Sequence, residues 1–118
     1  MTKSTIITKD FSDKQERHIA KITCGKVTPN SGGTKFSGGD VHTDYFLIEA
    51  KTAVKEKQTF GITKKWLAKA KEQAFEQGKR ESILAFRYGP EQDTDYYVLT
   101  EQQFLDYLKY KEDIYRNE

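Results

Sequence analysis

The chain has 118 residues, of which 36% are hydrophobic, 32% charged and 13% aromatic, with a formal net charge of +2. That length supports one hydrophobic core but not two, so the expectation is a single domain over residues 1–118. The aromatic content argues against disorder, and the near-neutral balance does not by itself demand a nucleic-acid partner. Cys24 is the only cysteine, which excludes an internal disulfide or a cysteine zinc cluster. His18 and His42 are too few for a histidine metal site without carboxylates. The start, MTKSTIITKDF, lacks the apolar stretch of a signal peptide, and no segment approaches a membrane span in length. The expectation is an intracellular, cytoplasmic protein without a membrane partner.

In chain order, Ile6 and Ile7 read as a short extended start. Ser12-Asp13-Lys14-Gln15 reads as a capping box that opens a helix, with Gly25 as its stop. Residues 15, 19 and 22 share one face of that helix, and Glu16 lies beside them at the edge of the stripe formed by Ile19 and Ile22. The segment VTPNSGGTKFSGGDV follows, with Ser-Gly-Gly at 31–33 and again at 37–39 around Thr34, Lys35 and Phe36. It reads either as a flexible loop or as backbone that approaches a phosphate closely. It is not a P-loop, because the Gly-Lys-Ser/Thr ending is missing.

Asp40-Val41-His42 reads as a short strand, Thr43-Asp44 as a turn, and Tyr45 to Thr52 as the antiparallel partner. Lys51 to Gly61 reads as a polar loop. A helix is predicted from Thr63 to Gln77, closed by Gly78, with Trp66, Leu67, Ala70 and Ala74 on its apolar side. Ser82–Tyr88 and Tyr96–Leu99 read as strands around a Gly89-Pro90 turn. Thr100-Glu101-Gln102-Gln103 is a second capping box, opening a helix to about Tyr110, after which the tail is expected to fray. A helix between two strands implies a crossover, so the class is α/β (α+β), with a central mixed sheet flanked by helices.

Charge is unevenly spread. Lysines 51, 55, 57, 64, 65, 69 and 71 fall in a segment with one acid, Glu56, while Glu91, Asp93, Asp95, Glu101, Asp106, Glu112 and Asp113 gather after residue 90. Such a division reads as one face that attracts a polyanion, or as a solvated lysine-rich helix.

The strand Phe46–Thr52 is the most apolar in the chain, yet alternation places Glu49 and Lys51 together with Leu47 on one of its faces. A hairpin would bring Asp40 to the same point. Two carboxylates suit a hard divalent cation, and an ammonium beside them can orient an attacking water or neutralise a scissile phosphate. The alternative is a surface strand end carrying an ordinary Glu-Lys pair. Glu49-Ala50-Lys51 is the only E-x-K in the chain, although the tripeptide by itself is weakly specific.

The order GD-V…FLIEAK resembles the PD-(D/E)XK nuclease superfamily, and within it the archaeal-type Holliday junction resolvases and their phage-encoded relatives. Glu16-Arg17 in the first helix, the Ser/Gly-rich loop, Asp40 and then Glu49 and Lys51 match the order of that pattern over roughly residues 12–108. Gly39 stands where the motif commonly has proline. The resemblance implies a restriction-endonuclease-like core and Mg²⁺- or Mn²⁺-dependent hydrolysis of phosphodiester bonds in branched DNA, with a four-way junction as partner. It also implies a homodimer that places two cuts symmetrically. Asp40, Glu49 and the backbone carbonyl of Ala50 would hold the metal, Glu16 would reach it directly or through water, and Lys51 would position the attacking water. Arg17, Ser31, Lys35, Ser37, Lys55, Lys57, Lys64 and Lys65 would contact the nucleic acid. Trp66 reads as core packing rather than base stacking, His42 as a packed or surface residue rather than a base, and Cys24 as buried and inert. Competing readings are a nuclease of the same fold acting on other DNA or RNA, a non-catalytic nucleic-acid-binding module, and a small interaction protein.

Overall fold

The computed structural model describes residues 3–28 and 40–118, with side chains described from residue 11 onward. The class is α+β: three helices and a five-stranded mixed sheet. Helix α1 spans Lys3–Thr23, followed by β1 (Lys26–Val27), β2 (Asp40–His42), β3 (Phe46–Thr52), α2 (Lys64–Glu76), β4 (Glu81–Arg87), β5 (Tyr96–Val98) and α3 (Glu101–Arg116). The strands lie side by side in the order β1-β2-β3-β4-β5. Only β3 and β4 run parallel, joined through α2 as the crossover, and every other pair is antiparallel. No described helix is long and apolar enough to cross a membrane.

α1 begins nine residues before the expected cap, so Ser12 lies inside it and Ile6 and Ile7 are helical rather than extended. A capping box opens a helix only where the preceding backbone leaves helical geometry, and residues 3–11 contain no Gly or Pro to force that. Gln15 is therefore free to turn inward, and it is buried with Glu16 and Ile19. Ile22, expected on the buried stripe, is 57% exposed, because the last turn packs Ala20 and Thr23 instead. The residue that ends α1 in left-handed geometry is Cys24, at φ 57°, and its side chain is exposed, not buried. Gly25 donates its N–H to the Ala20 carbonyl at 2.9 Å, closing the helix end. Glycine is required there for a different reason: a Cβ would stand 2.8 Å from the His42 carbonyl oxygen.

The sheet separates two packed layers. Ile48 and Ala50 of β3, Val41 of β2 and Ala85 of β4 form one buried face with Ile19 of α1. The opposite face carries Leu47 and Leu84, covered by α2 with Ala70 and Ala74. Burying Ile19, Leu47 and Leu84 this completely contributes about 1.5–3 kcal/mol each. The β2–β3 turn is closed reciprocally, the Thr43 N–H donating to the Phe46 carbonyl at 3.0 Å and the Phe46 N–H to Thr43 Oγ1 at 3.1 Å. Thr63 caps α2, accepting from the Trp66 N–H at 3.1 Å, and Gly78 follows its end at φ 73°. Thr100 and Gln103 form both halves of the expected capping box. α3 then continues to Arg116 instead of fraying near Tyr110, with Arg116 paired to Asp113 at 2.9 Å and to Glu112 at 3.7 Å.

Candidate active site

Asp40, the first residue of β2, stands directly opposite Glu49 of β3 in the hairpin register. Strand alternation then puts Asp40, Glu49 and Lys51 on the α2 side of the sheet. Lys51 Nζ lies 3.4 Å from Glu49 Oε1, and both side chains are largely out of water. Burial, then a hydrogen bond with Asp40, then the Asp40 charge raise the Glu49 carboxyl to about 8, while Lys51 pulls the other way. Near neutral pH Glu49 therefore retains its proton. Asp40 Oδ1 is buried with no hydrogen-bond partner. An orphaned carboxylate oxygen facing a second carboxyl is a donor set that fits a hard divalent ion, which would displace the proton and satisfy that oxygen.

Glu16 does not complete a third ligand. Among the described residues no group of three or more His, Cys, Asp or Glu is close enough together to hold a metal ion. The reason is topological: α1 packs on the face carrying Val41, Ile48 and Ala50, across the sheet from Asp40 and Glu49. Glu16 is buried on that helix, at 7% exposure.

Lys51 is gripped from a second direction. Its Nζ sits 4.6 Å from the centroid of the Trp66 ring, a cation–π contact. Trp66 is half-buried and begins an aromatic row: Phe60 at 6.2 Å, Phe86 stacked on Phe60 at 5.1 Å, and Tyr96 stacked on Phe86 at 5.8 Å. Trp66 is expected in the core; it is instead half-buried, packed beside Phe60, and it holds the lysine of the site.

Behind the strand lies a buried polar network with no counterpart in the sequence reading. Arg87 donates from Nε and Nη2 to the two oxygens of Asp95, at 3.1 and 2.7 Å. Gln15 Nε2 donates to Asp95 Oδ1 and to the backbone carbonyl of Lys51, both at 2.8 Å. Gln15, Arg87 and Asp95 are all buried. The network fixes the end of β3 from the α1 side, and with it the position of Lys51. In the sequence Asp95 is one of the acids that gather after residue 90, and Arg87 carries no separate signal. The only local signal was alternation, which puts Arg87 on the same inward face as Ala85.

Of the proposed nucleic-acid contacts, Arg17, Lys55, Lys57, Lys64 and Lys65 are exposed, whereas Ser31, Lys35 and Ser37 lie outside the described residues. His42 Nδ1 is 3.1 Å from Thr28 Oγ1, a partnership that ties β2 to the end of β1. Comparison with protein-family models, with curated proteins and with solved structures finds no match.

Proposed function

We propose that this chain is a metal-dependent endonuclease with a restriction-endonuclease-like core, hydrolysing phosphodiester bonds in branched DNA, with a four-way junction as its preferred substrate. The observation that carries the reading is Asp40 facing Glu49 across the hairpin with Lys51 beside them. Asp40, Glu49 and the Ala50 carbonyl would hold Mg²⁺ or Mn²⁺. That ion, when bound, supplies Lewis-acid stabilisation of the phosphoryl oxygens and lowers the pKa of water. Lys51, held between Glu49 and Trp66, orients the attacking water and offsets charge at the scissile phosphate. Lys55, Lys57, Lys64 and Lys65 contact flanking phosphates, giving an affinity that falls steeply with salt. Glu16 is assigned no direct contact with the ion.

The proposed partner in symmetry is a second copy, docked through α3. Its first turn is tethered to β4, where Gln103 Nε2 donates to Glu81 Oε1 and to the Ser82 carbonyl, and no close backbone approach joins it to another described helix or strand. Phe104, Leu105, Tyr107, Leu108, Tyr110, Ile114 and Tyr115 all remain more than a third exposed. Together they offer on the order of 600 Å² of surface, near the ~800 Å² each partner contributes to a standard interface. The first half carries Glu101 and Asp106, whereas Lys109, Lys111 and Arg116 lie in the second half with Glu112 and Asp113. An antiparallel pairing of two copies therefore sets the acidic half against the more basic one.

The test is cleavage of four-way, flap and linear DNA with Mg²⁺ and with chelator. Asp40→Asn and Glu49→Gln are expected to abolish cutting while sparing junction binding. Full activity in either variant overturns the assigned site. Equal cutting of linear duplex would instead favour a nuclease with another DNA or RNA substrate.

A further inference from the structure

Beside Lys51 a cleft of about 440 Å³ opens between the segment that follows β3 and the start of α2, lined by Thr52, Ala53, Lys57, Phe60 and Trp66 among others. We propose that this cleft is a stacking site for one unpaired nucleobase of the strand being cut. The proposal rests on the nuclease reading for the identity of its ligand, and on the cleft itself for its chemistry.

Phe60 and Trp66 both line the cleft and are only half-buried, inclined at 51° to each other, although Phe86 stacks on Phe60 and Lys51 lies over the Trp66 ring. Flat apolar walls accept a planar π-system of any base, because every base has a π-face. The rim is cationic: Lys57 lines the cleft, while Lys64 and Lys65 precede Trp66 in α2, and all three are exposed. The one acid in this stretch, Glu56, is turned to the β4–β5 turn, accepting from Gln92 Nε2 at 2.7 Å and from the Glu91 N–H at 2.8 Å. An aromatic slot with a lysine rim matches a base joined to its phosphates better than it matches an uncharged apolar ligand. The contact of Lys51 with Trp66 links this slot to the site, so a base held here lies next to the phosphate that Lys51 addresses. A paired base stacked inside duplex cannot enter. The ligand is thus an unpaired base, as at a branch point or in a single strand.

Trp66 is the only tryptophan in the chain, so its emission reports on the cleft directly. The full chain is titrated in chelator, where no cleavage occurs, with a short oligothymidylate, a duplex of equal length, and poly-glutamate. The single strand is expected to quench Trp66, with the duplex and poly-glutamate far weaker. Phe60→Ala is expected to weaken single-strand binding about tenfold. Phe60→Leu keeps the bulk and removes the π-face, so it should show the same loss if the alanine variant folds poorly. Absence of quenching, equal quenching by duplex or poly-glutamate, or unchanged affinity in Phe60→Leu overturns the cleft. Mg²⁺-dependent cutting is measured separately. Cutting without quenching overturns the cleft and leaves the nuclease reading standing, whereas quenching in a chain that never cuts supports the cleft and overturns that reading.

Discussion

Leu47 and Leu84, in adjacent strands, are out of water, whereas Phe104, Leu105 and Leu108 in α3 remain 48%, 47% and 40% exposed. Both regions are rich in large apolar residues, and both were built from clear local signals. The difference lies in what covers them. The β3–β4 region has a helix on each face and a buried polar network at its end, so its side chains are held by this chain alone. α3 has a cap at its start, ion pairs at its end and a Gln103 tether to β4, but its large apolar side chains remain more than a third exposed. The first region holds its residues in fixed positions; the second leaves the apolar surface on which the proposal places a second copy.

The comparison breaks most sharply at Asp95. Removing its carboxylate leaves Arg87 buried without its acceptor and Gln15 Nε2 with only the Lys51 carbonyl, and Asp95→Ala is expected to lower unfolding stability by about 3–5 kcal/mol in a denaturant titration. A loss under 1 kcal/mol would mean that the network is not formed. Next is paired truncation. Leu47→Ala is expected to cost about 2–5 kcal/mol, while Leu108→Glu should barely change the unfolding midpoint at low protein concentration yet convert a dimer to a monomer by light scattering. A monomer in the unmodified chain removes the assigned role of α3.

The third prediction concerns pH. The Glu49 carboxyl titrates near 8 when folded and near 4.5 otherwise, so folding favours its protonated form. The stabilisation this gives is full below about 4.5 and is lost as pH rises through about 8, on the order of a few kcal/mol across that window. Glu49→Gln should flatten the dependence in melting curves, and Mg²⁺ should restore stability to the unmodified chain at pH 8 but not at pH 5. A dependence that survives in Glu49→Gln would assign it to another group. The smallest effect is expected at Thr100→Ala, which removes one half of the α3 cap and should cost about 1 kcal/mol, seen as reduced helicity by circular dichroism.

What could be read in advance was what local chemistry dictates. The Thr43-Asp44 turn fixes the register that sets Asp40 opposite Glu49, and the Thr63 and Thr100 caps start α2 and α3 where their side chains can accept backbone N–H groups. The start of α1 was missed because a capping pattern at Ser12 is indistinguishable in sequence from the same residues inside a longer helix. β1 is two residues long and exists only because β2 offers it an edge. The Gln15–Asp95 bond spans 80 residues, and no local pattern encodes it. Nor could sequence place α1 across the sheet from Glu49, which is what separates Glu16 from the carboxylate pair.

The most direct measurement is Mn²⁺ binding to the DNA-free chain at pH 7.5, followed by electron paramagnetic resonance. Saturable binding of one ion that is lost in both Asp40→Asn and Glu49→Gln is the predicted result. Equal binding by the unmodified chain and these variants, or none by any of them, would contradict a metal centre at this hairpin.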